Sequence, residues 1–373
     1  MGEHALLSAS SAHRWLECPP SAKACAGRGD TASEYAQQGT DCHALCAYLV
    51  EKALGRNTRN PTEDLTYYDA EMQDCASGYC AYVMEQIEEA KKHSPDPLVM
   101  VEQRLDFSRW VKSGFGTGDC VIVSDDVLQI IDYKHGVGVL VQAEKNPQLM
   151  LYALGALELA GDLYDIREVR MTIYQPRREN ISTFVMRTDD LYGWAEEVLR
   201  PAAKLAYEGG GEYKAGEHCR FCRIRAVCRK RAEYNLKLAQ YDFQMPETLD
   251  ETEIAAILPE IESLISWAGD VKEYALKKAV SGTKFPGFKV VEGRSSRKYV
   301  DDDAAAAAVT AAGYDPYEMK LLGITAMTSR LGKKKFDEIL GGLICKPPGK
   351  PVLVPESDKR PAMSMAEDDF KGF

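Results

Sequence analysis

Apolar side chains recur along this chain at two different spacings, and the switch between them marks out its elements. Cys42, Leu45, Cys46, Leu49 and Ala53 fall every three or four residues and predict a helix over about 33–54, stopped by Gly55. Met72, Cys75, Tyr79, Val83, Ile87 and Ala90 repeat that pattern, so a second amphipathic helix is expected before the Ser-Pro-Asp-Pro breaker at 94–97. Beyond it the period becomes two. Residues 98–107, 115–126 and 127–136 read as three strands, the last two joined by a tight turn at Asp125 and Asp126. Asn146 as N-cap and Pro147 at the first helical position then open a helix to Ala160. Strands are expected at 169–176 and 181–188, and Asp189 opens a helix to about Tyr207. A helix over roughly 250–280, a hairpin over 287–300 and a helix from Asp301 to Gly313 follow, the last with three acids at its positive end. The Pro- and Lys-rich tail from Lys346 reads as irregular.

Helices alternating with strands in this order predict an α/β protein whose mixed sheet is flanked by helices. The chain has 373 residues, 45% hydrophobic and 28% charged, which suits a globular protein with a sizeable core rather than a disordered or fibrous one. No stretch approaches the ~18 consecutive apolar residues of a membrane helix. The first twenty residues lack a basic segment followed by an apolar one, so a cytoplasmic protein is expected. Eleven cysteines without an export signal point to reduced or metal-bound thiols rather than disulfides. A net charge of −11 repels nucleic acid overall, so DNA binding requires a local basic surface.

Two acids carry the chemistry. Asp119 in Gly116-Thr-Gly-Asp119 and Asp132 in Ile131-Asp132-Tyr133-Lys134 stand on neighbouring predicted strands and can project from one end of the sheet. Paired carboxylates there make a hard oxygen site for Mg²⁺ or Mn²⁺. Lys134, two residues past Asp132, shares its face, where an ammonium orients water and offsets charge on a phosphate. These segments resemble the PD-(D/E)xK nuclease superfamily. Gly39-Thr-Asp-Cys-His43 resembles the G-x-x-x-H segment of its RecB-like branch, and Gln148-Leu-Met-Leu-Tyr152 resembles that branch's Q-x-x-x-Y motif. The resemblance implies a restriction-endonuclease-like core with His43, Asp119, Asp132 and the Tyr133 carbonyl as metal ligands. Lys134 would help activate water, and Gln148 and Tyr152 would position the DNA strand. Glu102 lies where RecB-like sequences often carry an acid, and is ranked below the other ligands.

Cys219, Cys222 and Cys228 form a C-x2-C-x5-C run, one thiolate short of a tetrahedral metal or a cubane cluster. Cys18, before Pro19 and Pro20, is the natural fourth. AddB-type helicase-nucleases and CRISPR-associated exonucleases carry one cysteine before the nuclease core and three after it with this spacing. The resemblance therefore implies a 4Fe–4S cluster stapling residue 18 to 219–228, although the same thiolates also suit zinc. The remaining cysteines, Cys25 among them, are expected to behave as small buried hydrophobes. Arg220, Arg223, Arg225, Arg229, Lys230 and Arg231 surround the thiolates with no acid among them. Arg220, Arg229, Arg231 and the loop residue Arg177 are therefore expected to contact DNA.

The whole chain is also similar to a phage and prophage family of unknown function. Together these resemblances imply a cluster-bearing nuclease core over 1–240 and a mainly helical accessory region over 241–373. The implied activity is that of a DNA nuclease, an exonuclease on linear DNA in phage recombination or replication. A phage single-strand annealing protein and further copies of the chain are the expected partners, in the bacterial host cytoplasm. Two other readings meet the same residues: a silent DNA-end-binding scaffold, and a zinc-stabilised phosphoesterase acting on RNA or nucleotides.

Overall fold

The computed structural model describes residues 5–344 other than 29–33, 93, 162, 238–248, 293–299 and 318–320. Two short helices, α1 (Ala12–Glu17) and α2 (Ser21–Cys25), precede the long α3 (Glu34–Ala53) and α4 (Ala70–Lys91). Strands β1 (Leu98–Asp106), β2 (Phe115–Val123) and β3 (Val127–Tyr133) follow, then α5 (Pro147–Ala160), β4 (Glu168–Gln175) and β5 (Asn180–Arg187). The five strands form one mixed sheet in chain order. All neighbours are antiparallel except β3 and β4. A two-residue turn joins β2 to β3, with Asp126 at φ 68°. The parallel step from β3 to β4 needs a crossover, which α5 supplies.

Strand alternation sorts the two faces. Val121, Val123, Leu128 and Ile130 turn toward α5 and pack with Leu149, Leu151 and Leu154. Cys120, Ile122, Ile131 and Tyr133 turn the other way, onto Leu45, Val50, Tyr79 and Val83 of α3 and α4. By the same parity, Asp119, Asp132 and Lys134 stand on the α5 side of the sheet. With the sheet on one side and other helices on the other, α5 is buried nearly all round. Gly155 permits its close approach, since a Cβ there would lie 2.9 Å from that of Leu105 on β1. Asn146 caps α5, its side chain accepting from the Gln148 amide at 3.0 Å.

Past the sheet, α6 (Thr188–Trp194) runs through a π turn at Ala195–Leu199 into α7 (Arg200–Glu208). Pro201 has no N–H to continue the α ladder, which accounts for the wider turn before it. Gly209, at φ 75°, ends α7. Helices α8 (Arg229–Leu236) and α9 (Glu251–Val280) follow, then α10 (Asp302–Ala311), α11 (Ile324–Leu331) and α12 (Lys333–Leu340).

The chain divides into two compact units, Met1–Lys277 and Lys278–Phe373, a boundary later than the expected 240/241. Most of α9 goes with the first unit because its Asp270 pairs with Arg225 and Arg231. In the second unit the helix expected from Asp301 is present, the Asp301 side chain accepting from the Ala304 amide. The hairpin over 287–300 is not formed in its first half. Residues 288–292 are irregular, with Phe288, Val290 and Val291 exposed and no ladder partner among the described residues. The second half of that hairpin and the tail from Lys346 lie outside the described residues, except that Val300 is in a bend. No helix among the described residues is long and apolar enough to cross a membrane.

Candidate active site

At one end of the sheet, β1, β2 and β3 converge with α3 and α5. Asp119 is the hub. Its Oδ1 lies 3.2 Å from His43 Nδ1 on α3, and its Oδ2 accepts from the Tyr133 backbone amide at 2.6 Å. Glu102 stands opposite Asp119 in the β1–β2 register, between the pairs Val101–Cys120 and Gln103–Gly118. It is held at φ 48°, a left-handed conformation that costs a non-glycine residue about 1–3 kcal/mol. That backbone kink sets its carboxylate among the others. One ligand atom each from His43, Glu102 and Asp119 lies within 4.8 Å of the other two, and Glu102 keeps its access to solvent. An imidazole and two carboxylates so gathered can hold a divalent cation.

Asp132 sits beside this group, its side chain only 2% exposed. Its Oδ2 is ion-paired with Lys134 Nζ at 2.8 Å. Gln148, in the first turn of α5, binds both partners: its Nε2 donates to Asp132 Oδ1 at 3.1 Å, and its Oε1 accepts from Lys134 at 3.1 Å. The same Nε2 lies 3.2 Å from the Tyr152 hydroxyl. Gly116 makes room for the Tyr152 ring, which a Cβ there would meet at 2.7 Å. Gln148 and Tyr152, expected to reach for DNA, thus hold the aspartate and lysine in place.

Charge crowding sets the protonation states. Although Glu102 is exposed as a residue, protein crowding its carboxyl, reinforced by the Asp119 charge, pushes it up to about 7. Burial alone would depress the His43 imidazole, but the Asp119 carboxylate overrides that and holds it at about 9. Burial also works against the Lys134 ammonium, and Asp132 and Asp119 more than compensate, so Lys134 stays charged at neutral pH. Burial raises Asp132, whereas His43 and Lys134 outweigh burial at Asp119 and keep it ionised.

A cation competes with protons for Glu102 and His43, so Mg²⁺ or Mn²⁺ affinity is expected to climb with pH up to about 9, more steeply below about pH 7 where Glu102 also carries its proton, with proton release on binding. Calorimetry in two buffers of different ionisation enthalpy measures that release. A pH-independent affinity would remove both residues from the ligand set.

The cysteine segment lies apart from this cleft. Cys18, at the end of α1, accepts from the Lys214 backbone amide at 3.5 Å, and Cys219 Sγ lies 3.9 Å from the Lys214 carbonyl. Cys18, Cys219 and Cys222 are buried and Cys228 is half-buried; none is in a disulfide. A backbone N–H aimed at a buried sulfur is the contact that a thiolate ligand accepts. The four thiols do not form a group with ligand atoms within 4.8 Å of one another, as the cleft residues do. Sequence reading missed a fifth sulfur. Cys25 Sγ is 3.7 Å from Cys222 Sγ, and the Cys222 thiol lowers Cys25 to about 5. Burial, then the thiols of Cys18, Cys228, Cys222 and Cys25, raise the nearby Tyr213 phenol.

The four arginines expected on DNA part company. Arg220 and Arg229 are exposed, with Arg220 reaching the Gly138 carbonyl at 3.4 Å. Arg177 is paired with Glu71 of α4 at 2.9 Å. Arg231 is buried, 4% exposed, on Asp270 and Ser266 of α9. Its position argues against phosphate contact. The acid that neutralises it lies 39 residues downstream, out of reach of a reading of 219–231 alone.

With the fold and the cleft in hand, the relatives can be placed. A family model described as "Protein of unknown function (DUF2800)" matches residues 4–361. The chain belongs to the DUF2800 family. That match spans both compact units and every residue of the cleft and thiol group. Among solved structures, this DUF2800 chain is similar to one titled "Crystal structure of SSO0001". The two are 12% identical with a TM-score of 0.24, over 52% of this chain and 98% of that one, a likeness too slight to bear on activity.

Proposed function

We propose that the chain is a metal-dependent deoxyribonuclease on a PD-(D/E)xK core, acting as an exonuclease on linear phage DNA in the bacterial cytoplasm. The observation that carries this reading is the meeting of Asp119, Asp132 and Lys134 with His43 and Glu102 at one sheet end. When bound there, Mg²⁺ or Mn²⁺ supplies Lewis-acid charge to the scissile phosphate and acidity to the attacking water. His43, Glu102, Asp119 and Asp132 are the residues that would hold it. Lys134, charged at neutral pH, is a donor rather than a base: it steadies negative charge growing on the phosphate. Gln148 restrains its ammonium from the helix side.

The thiols support a second assignment. Cys18, Cys219, Cys222 and Cys228 hold a 4Fe–4S cluster that ties the N-terminal helices to the segment after α7 and closes the core into a ring. Protein purified without air would then be brown and iron-bearing, where a zinc site leaves it colourless.

The direct test incubates such protein with end-labelled linear and covalently closed circular DNA, plus Mg²⁺ or Mn²⁺. Loss of the linear substrate alone is the expected result. Tight DNA binding with no cleavage would instead mark an end-binding scaffold.

A further inference from the structure

Between Lys134 and Gln148 the chain leaves the site and returns to it through a loop with no regular structure, and this loop is not slack. Gln175, 1% exposed at the end of β4, donates to the Gly136 and Val139 carbonyls, both at 2.7 Å, and accepts from the Val141 amide at 3.1 Å. Arg178 holds the Val137 carbonyl at 3.1 Å, Asn180 the Val141 carbonyl at 2.8 Å, and Ser182 the Ala143 amide at 2.9 Å. A backbone pinned by so many side chains holds its shape under load. Yet this pinned loop turns two aliphatic side chains outward, Val137 at 42% and Leu140 at 46% exposure. Val137 is three residues from Lys134, so at ~3.3–3.6 Å per residue it lies within about 11 Å of the cleft along the chain.

We propose that the loop over 136–142 receives the end of a DNA duplex, with Val137 and Leu140 entering between terminal bases so that one strand is freed toward the cleft. The inference rests on the nuclease reading and names its substrate, a duplex end. Side-chain chemistry favours that substrate over a free single strand. Platforms for single strands stack bases on aromatic rings, and residues 136–142 contain none. Aliphatic side chains on a stiff support are the type that wedge into base steps. The exposed Arg178 and Arg220, reaching the Val137 and Gly138 carbonyls, set positive charge on the wedge's flanks for the phosphates of the parted strands.

The test uses full-length protein in an Asp132→Asn background, which prevents cutting, and a duplex with 2-aminopurine as its terminal base. Its fluorescence is expected to rise on binding as the base unstacks, and the added Val137→Ser/Leu140→Ser pair to abolish that rise. With Asp132 intact, the same pair is expected to lower cleavage of duplex ends by at least about tenfold more than cleavage of single strands. Both positions are exposed, so folding should be unaffected, which circular dichroism checks. Fluorescence that does not rise, or rises equally with the two serines, overturns the wedge. If the protein with Asp132 intact still cuts DNA in that case, the nuclease reading survives; if it does not cut and the terminal base does not unstack, both fall.

Discussion

Asp132→Asn is expected to lower DNA cleavage by at least about 10³-fold, because it removes a charge placed where the phosphate and the cation meet. The substitution keeps the side chain's shape, and Gln148 can still donate to the retained oxygen, so the fold should persist. Lys134→Ala should cost a comparable factor by a different route. The ammonium is fixed by Asp132 and Gln148 and holds its proton at neutral pH, so its loss removes a positive charge from the site rather than a base. The two losses should not add, since residues acting as one unit share a single transition-state interaction. Single-turnover cleavage of a labelled duplex by the parent, each variant and the double variant measures all four corners. A Lys134→Ala protein cutting at the parental rate would end the electrostatic role assigned to it. Additive losses would separate the two residues into independent functions.

How the cleft came to be readable, and where it was not, follows from the range of each interaction. The strands and α5 were recoverable because period-two alternation and the Asn146-Pro147 cap are local signals. Asp119 and Asp132 could be paired because one tight turn separates their strands. The place of Glu102 beside Asp119 and His43 goes with a left-handed backbone that composition does not reveal. The i, i+4 spacing of Gln148 and Tyr152 said that they share a helix face, but not that the face looks onto Asp132 and Lys134. Cys25 stands outside the C-x2-C-x5-C run and reaches Cys222 only because α2 folds back across 197 residues. The hairpin over 287–300 had the right alternation, and its first half instead exposes those apolar side chains.

Arg231 offers the sharpest contrast with its sequence reading. In a run of six basic residues it looks like part of a phosphate-binding surface, yet its guanidinium is buried against Asp270, with Ser266 and the Arg225 carbonyl as further partners. Among the described residues, Arg231→Ala leaves Asp270 with only the half-buried Arg225, and breaking a buried pair on one side costs about 3–5 kcal/mol. Arg229, two residues earlier and exposed, should behave oppositely. Its alanine variant is expected to stay within about 0.5 kcal/mol of the parent in stability, while DNA affinity falls and the salt dependence of binding loses about one unit of slope. Denaturant midpoints and salt titrations of DNA binding, run on both variants without air, separate the two effects. An Arg231→Ala protein as stable as the parent but weaker on DNA would return that residue to the interface. The reverse pattern would confine the basic surface to the exposed arginines and make α9 a structural brace of the thiol-bearing segment.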